Sequence, residues 1–169
     1  HKPKPKAFET ARGTSDVAFM PAFRSMTEAA CRRRVRGRWR GCVATVKPRF
    51  RRFFERWPTV EALAAAADAE VLSEWGGLGY YARARNLIAC AREVAARGGF
   101  PRTETELRTL PGLGDYTAAA VAAIAFGEQA TPVDTNVARV VARYHGVENP
   151  LAEARELIRN CAGAMTPTD

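Results

Sequence analysis

The chain has 169 residues, 47% of them hydrophobic, and a formal net charge of +8. This length fits one domain with the start of a second, and the apolar content is sufficient for a buried core. No stretch approaches the roughly 20 apolar residues of a membrane span, and no apolar run follows the basic start, so we expect neither a membrane protein nor a signal peptide.

The positive charge is concentrated in the first quarter of the chain. Residues 1–42 contain eleven Lys or Arg and three Asp or Glu, whereas residues 43–169 contain fifteen of each sign. Because residues 1–42 also lack an apolar period, we expect an irregular or disordered basic segment there. The charge balance is therefore weak support for nucleic-acid binding, and function has to be argued from local motifs.

Apolar spacing and turn residues predict an all-α chain from residue 43 onward. Apolar residues recur every three or four positions over 43–57, with Pro48 expected near the start of that helix. Thr103 and Glu106 have the spacing of a capping box, and Asp134 is a candidate helix N-cap. Further helices are predicted over 60–67, 69–75, 80–97, 104–110, 115–126 and 135–144, with a last one after Pro150.

Four cysteines, Cys31, Cys42, Cys90 and Cys161, are widely separated. No CxxC pair occurs, so the sequence predicts neither a structural zinc site nor a ferredoxin-like cluster site. Cys90 lies in an apolar helical pattern and is expected to be a buried free thiol.

A helix–turn–helix segment with a glycine-rich turn is the most informative motif. Gly112, Leu113 and Gly114 separate two predicted helices, and glycine permits backbone angles and close approaches that other residues avoid. Such a turn can direct backbone N–H groups at a phosphate oxygen from a helix N-terminus. An ordinary turn between helices would also contain Gly and Pro. The full string is LPGLGDYTA over 110–118.

That string resembles the hairpin of the helix-hairpin-helix DNA glycosylase superfamily. Three further segments resemble the MutY type of adenine glycosylase within it: VATVKPRF over 43–50, GLGYYARARNL over 77–87 and VDTNVARV over 133–140. The resemblance covers roughly residues 43–169. It implies an all-α fold in which 43–145 form a six-helix-barrel portion with the hairpin at 104–126, and 146–169 begin a second, truncated helical domain.

The resemblance implies a base-excision repair enzyme that hydrolyses the N-glycosidic bond of adenine opposite 8-oxoguanine or guanine. Its partner is duplex DNA containing a mispair or oxidised guanine, and we expect a monomer in the cytoplasm, associated with the nucleoid. The base is flipped out of the duplex because the glycosidic bond is inaccessible in a stacked helix. Gly112, Leu113, Gly114 and Thr117 are the expected DNA contacts of the hairpin.

The resemblance assigns catalytic roles to Asp134, Asn136 and Tyr116. Asp134 stabilises positive charge on the sugar, although a plain N-cap is the alternative, and both can hold. Asn136 is expected to hold the pocket, or else to be an exposed helix residue. Tyr116 stands where strand-cutting relatives place a Schiff-base Lys, so base removal without a lyase step is expected. A Tyr packed in the core is the alternative.

Two tyrosines and two arginines follow the glycine-rich segment 76–79. Tyr80 or Tyr81 could wedge into the base stack, or both could belong to the core. Arg83 and Arg85 are candidate phosphate contacts or solvated surface residues.

The family's general-acid glutamate is missing from its expected position. The glutamate protonates the adenine, and an ungapped alignment backward from Val43 places Val35 there, with Glu28 far from the register. We hypothesise that residues before Val43 are translated from the wrong reading frame, and we predict severely impaired adenine excision. The family's four closely spaced cluster cysteines and its oxidised-guanine domain are also expected to be absent, so no metal or cofactor is assigned.

Three alternatives stay open from the sequence. A thymine mismatch glycosylase can also have Tyr in the hairpin. A non-catalytic helix-hairpin-helix DNA-binding remnant would fit the missing glutamate. A defective, unstable product would expose apolar surface and aggregate.

Overall fold

The computed structural model describes residues 40–167, with side chains from Pro48 onward. This part of the chain contains eight helices and no strand, which confirms the all-α prediction. The helices are α1 (Arg40–Arg56), α2 (Val60–Ala65), α3 (Asp68–Glu74), α4 (Tyr81–Arg97), α5 (Glu104–Leu107), α6 (Asp115–Phe126), α7 (Thr135–Tyr144) and α8 (Arg155–Ala164). None of these helices is both long and apolar enough to cross a bilayer.

The start of α1 differs from the sequence expectation. Arg40 to Cys42 were predicted to be irregular but form the first turn of α1, and Pro48 lies inside that helix rather than near its start. A proline removes one N–H to C=O bond, which a helix of 17 residues can tolerate because its other turns remain bonded. The rest of the basic segment, residues 1–39, lies outside the described residues.

Local signals set most of the other helix ends. Thr103 caps α5 by accepting the amide of Glu106 at 3.3 Å, and its hydroxyl donates to the Glu106 carboxylate at 2.9 Å, so the two residues with capping-box spacing contact each other at the helix start. Helices α4 and α6 end at Gly98 and Gly127, both in the left-handed conformation. Helix α5 ends three residues earlier than predicted, because the chain continues as turns towards the hairpin.

The larger apolar core is formed by side chains of the helices from α1 through α6. Helices α2 and α3 pack against α4, and α5 packs against α6. Its fully buried side chains include Leu63, Val71, Trp75, Ile88, Val94 and Val121. Ala118 to Ala122 are buried consecutively, so α6 is surrounded by protein in its middle, and small side chains allow its neighbours to approach closely.

A smaller apolar core joins α7 to α8. Val141 and Ala142 pack with Ile158 and Ala162, and the hydroxyls of Thr131 and Thr166 hydrogen-bond at 2.5 Å beside them. Helix α7 thus shares its core with α8 across the predicted boundary at 145/146. The division into domains stays a prediction.

Candidate active site and nucleic-acid interface

The predicted hairpin forms a tight turn between α5 and α6. Leu110 and Leu113 are buried on either side of it, and the Leu113 amide donates to the Leu110 carbonyl at 3.2 Å. Gly112 has φ +79°, a conformation that favours glycine. Gly112 and Gly114 are exposed, so buried leucines fix the turn while its glycines face solvent.

The turn places the N-terminus of α6 at the surface. Gly114 is the N-cap residue, with extended backbone and no side chain to accept the amides of the first turn. Tyr116, in that turn, is 39% exposed, whereas Thr117 is half-buried. A helix N-terminus without a side-chain cap can bind an anion such as a DNA phosphate.

Asp134 is fixed at the N-terminus of α7. Its Oδ1 accepts the amides of Asn136 at 2.9 Å and Val137 at 2.8 Å, which confirms the predicted N-cap. The side-chain amide of Asn136 donates to Oδ2 of Asp134 at 3.4 Å. The carboxylate is half-buried and held in one orientation, which suits a group that must face a developing positive charge.

Tyr80 and Tyr81 lie at the start of α4 and are 47% and 44% exposed, so neither is a core residue. Tyr80 has φ +51°, the single non-glycine residue with positive φ in the described chain. The Arg83 guanidinium lies 5.2 Å from the Tyr80 ring centroid, and its Nη1 is buried without a hydrogen-bond partner. Arg83 is half-buried and Arg85 exposed, and their contacts with phosphate stay predictions.

A buried tryptophan supports the glycine-rich turn before these tyrosines. Trp75 is 1% exposed, and its indole N–H donates to the Gly79 carbonyl at 2.9 Å. Gly77 has φ +80°, and the Arg49 guanidinium passes within 3.0 Å of the place where a Cβ would lie. The turn therefore needs Gly77 for its backbone angle, and a Cβ there would also displace the end of the Arg49 side chain.

The sequence did not identify a cluster of three charged residues at the hairpin. Arg108 and Arg159 each contact one carboxylate oxygen of Asp115, the first residue of α6. Arg108 directly follows α5 and lies seven positions before Asp115, so the sequence of the hairpin could have suggested the pair of Arg108 with Asp115. Arg159 is 44 residues away on α8, and no local pattern signals its contact.

The residues described between 40 and 167 include the free cysteines Cys90 and Cys161. They contain no group of three or more His, Cys, Asp or Glu side chains placed to hold a metal ion. Cys90 is a buried free thiol, as predicted. Desolvation raises the pKa of this thiol to about 12; the charge of Arg97 lowers it and the charge of Glu93 raises it by smaller amounts. The raised pKa disfavours the thiolate that a metal needs.

Comparison with known proteins agrees with the motif resemblance. The family model of the HhH-GPD superfamily base excision DNA repair proteins matches residues 42–162. The chain is 45% identical over 130 residues to the adenine DNA glycosylase of Mycolicibacterium smegmatis, covering 75% of this chain and 44% of that protein. It is 47% identical over 108 residues to the adenine DNA glycosylase of Homo sapiens, covering 62% of this chain and 20% of that protein.

Solved structures show the same fold. A thermostable thymine-DNA glycosylase superposes with a TM-score of 0.71 at 28% identity, covering 97% of this chain and 71% of that one. An endonuclease III trapped on DNA superposes with a TM-score of 0.68 at 26% identity, covering 96% and 73%. The chain spans less than half the length of the curated relatives described above. The match across residues 42–162 shows that it belongs to the HhH-GPD superfamily of base excision DNA repair proteins, with the predicted resemblance to the MutY type confirmed.

Proposed function

We propose that this chain is part of a monofunctional adenine DNA glycosylase that acts on adenine opposite 8-oxoguanine or guanine in duplex DNA. The observation that carries the proposal is the orientation of Asp134, whose carboxylate accepts two backbone amides at the N-terminus of α7. The hairpin exposes the N-terminus of a second helix, α6. Its relatives with 45–47% identity are adenine DNA glycosylases. We further propose that it works as a monomer in the cytoplasm, at the nucleoid.

The proposed reaction exchanges the base for water at the sugar. The bond between C1′ and the adenine nitrogen breaks, water adds to C1′, and the base leaves with a proton. Positive charge develops on the sugar as the bond lengthens, and a carboxylate already oriented there lowers the barrier without reorganisation. Asp134 has this role in the proposal, and Asn136 positions its Oδ2.

Tyr116 determines that the proposed enzyme removes the base without cutting the strand. A Schiff base requires an amine, and a phenol cannot form one. Tyr116 is exposed on the first turn of α6, where it can face bound DNA. Tyr80 and Tyr81, exposed at the start of α4, are the proposed candidates for insertion into the base stack.

The proposal includes impaired activity for this chain. The general acid expected from the resemblance falls on Val35, outside the described residues, and adenine is a poor leaving group without a proton donor. The proposal assigns no cofactor to this chain.

A thymine mismatch glycosylase is the second candidate, because a thymine-DNA glycosylase shares the fold over 97% of this chain. Its identity of 28% is well below the 45% identity to an adenine glycosylase, so adenine is the favoured base.

Single-turnover base release tests these assignments. The chain, a Val35→Glu variant and Asp134→Asn versions of both are incubated with excess enzyme on duplexes holding adenine opposite 8-oxoguanine or thymine opposite guanine. We expect adenine release only from Val35→Glu, and its loss in the Asp134→Asn version. Release by the unmodified chain would contradict the proposed impairment, and thymine release would favour the second candidate. Duplex binding with no release by any variant would favour the DNA-binding remnant.

A further inference from the structure

An arginine pair shares one carboxylate at the end of the hairpin. Arg108 Nη2 lies 2.6 Å from Oδ1 of Asp115, and Arg159 Nη2 contacts Oδ2 of the same side chain. The side chains of Arg108 and Arg159 are each 43% exposed, and that of Asp115 is 52% exposed. Each oxygen of Asp115 thus has its own guanidinium, and the cluster carries a net charge of +1 at the surface.

This charge lies beside the exposed N-terminus of α6. Asp115 directly follows Gly114, the N-cap residue, which has no side chain to accept the first-turn amides. An unpaired carboxylate there would repel a phosphate approaching those amides. With two guanidiniums attached, the same position attracts phosphate, because a guanidinium has five N–H donors and its contact with Asp115 leaves others directed elsewhere.

Local charge matters because the net positive charge of the chain lies in residues 1–42, which are distant in sequence from the hairpin. Residues 43–169 contain equal numbers of acidic and basic side chains. Clusters such as this one therefore supply the local attraction to the DNA backbone at the hairpin, and each phosphate contact contributes a salt-dependent increment to affinity.

We propose that Asp115 holds Arg108 and Arg159 beside the hairpin as a second anchor for the DNA backbone, so that α8 contributes to the hairpin's phosphate-binding surface. The ligand is the phosphodiester next to the one bound by the hairpin amides. The inference rests on the proposed DNA glycosylase function and deepens it. Asp115 is a positioning residue, and the two arginines touch the DNA.

The arrangement also connects the two apolar cores. Helix α8 packs on α7, which begins at Asp134, whereas Asp115 belongs to the helix at the centre of the larger core. A DNA strand bound by Arg159 is therefore anchored to α7 and α8, the helix pair that also holds the proposed catalytic carboxylate of Asp134.

The test is equilibrium binding of the full chain to a fluorescent duplex with adenine opposite 8-oxoguanine, measured by anisotropy over a series of KCl concentrations. The matched control is Arg56→Gln, because Arg56 is also 43% exposed and also forms ion pairs with carboxylates, in its case those of Glu70 and Glu74 on α3. Arg159→Gln is expected to weaken binding about five- to tenfold and to lower the salt slope by about one, whereas Arg56→Gln changes affinity by no more than about twofold.

The coupling to Asp115 is measured in a double-mutant cycle. In an Asp115→Asn background, Arg159→Gln is expected to cost no more than about twofold, because the guanidinium is no longer held at the hairpin. Arg159→Lys should retain the salt slope but only part of the affinity, because Lys lacks the planar fork. Thermal unfolding of each variant checks that all are equally folded.

The outcomes separate this inference from the proposed function. Equal effects of Arg159→Gln and Arg56→Gln, or an Arg159 effect unchanged by Asp115→Asn, would overturn the anchor while duplex binding by the unmodified chain still supports the glycosylase. Absence of duplex binding by the unmodified, folded chain would overturn both.

Discussion

Replacing Asp134 by two different residues separates its role as a helix cap from its role as a charge. Oδ1 accepts two amides of α7, and Asn caps a helix as well as Asp does, whereas Ala cannot cap it. Asp134→Ala is therefore expected to lower the free energy of unfolding by about 1 kcal/mol, or roughly 2–4 °C in Tm, and Asp134→Asn to leave it nearly unchanged.

The charge is measured by binding, since this chain is proposed to be impaired in catalysis. One duplex carries a cationic pyrrolidine in place of the target sugar, and a matched duplex carries a neutral tetrahydrofuran. A hydrogen bond or close contact between a cation and a carboxylate contributes about 1.5–3 kcal/mol, so the unmodified chain should prefer the cation by roughly tenfold or more. Both Asp134→Asn and Asp134→Ala should lose that preference.

Two results would refute this reasoning. Asp134→Asn with an intact preference for the cationic duplex would mean that the carboxylate does not face the sugar. Equal destabilisation by Asn and Ala would mean that the charge, rather than the cap, stabilises α7.

Three further predictions concern the hairpin, the start of α4 and the buried thiol. Gly112→Ala is expected to cost about 1–2 kcal/mol of stability because of its left-handed backbone. Gly114 has an extended backbone, and no atom lies within 4 Å of where its Cβ would be. Gly114→Ser should therefore change stability by only a few tenths of a kcal/mol and yet weaken duplex binding, because the serine hydroxyl accepts the first-turn amides. Equal stability losses for Gly112→Ala and Gly114→Ser in denaturant titrations would contradict this prediction. Tyr80→Gly should change the free energy of unfolding by no more than about 0.5 kcal/mol, since relief of the left-handed conformation offsets the lost contact with Arg83. Duplex affinity should fall. A loss of stability above about 2 kcal/mol would identify Tyr80 as a core residue instead. Burial raises the pKa of Cys90 from 9.0 to about 12, so the contribution of its thiol to stability is complete below pH 9 and is lost as the pH rises towards 12. Between pH 9 and 12 the stability of the unmodified chain, relative to that of Cys90→Ala, should fall by about 1.4 kcal/mol per pH unit. Parallel pH profiles of the two proteins would refute this prediction.

Sequence reasoning succeeded where a structure depends on neighbouring residues. The N-cap at Thr103, the glycine stops at Gly98 and Gly127, and the cap at Asp134 each involve groups within a few positions, and the structure has all of them. It failed at Pro48, because the general rule against proline inside a helix was outweighed by the remaining bonds of α1.

The positions of the predicted site residues depend on contacts that no local pattern encodes. The hairpin belongs to the larger core, whereas Asp134 begins a helix of the smaller one. Their spacing is therefore set by how the two cores meet, through contacts such as that of Asp115 with Arg159, 44 residues apart. A motif can identify each half of the site, but the distance between a phosphate anchor and a carboxylate is a tertiary property. Because a small misplacement of a catalytic group is costly, substitutions at these bridging residues should affect the reaction more than they affect the stability of either core.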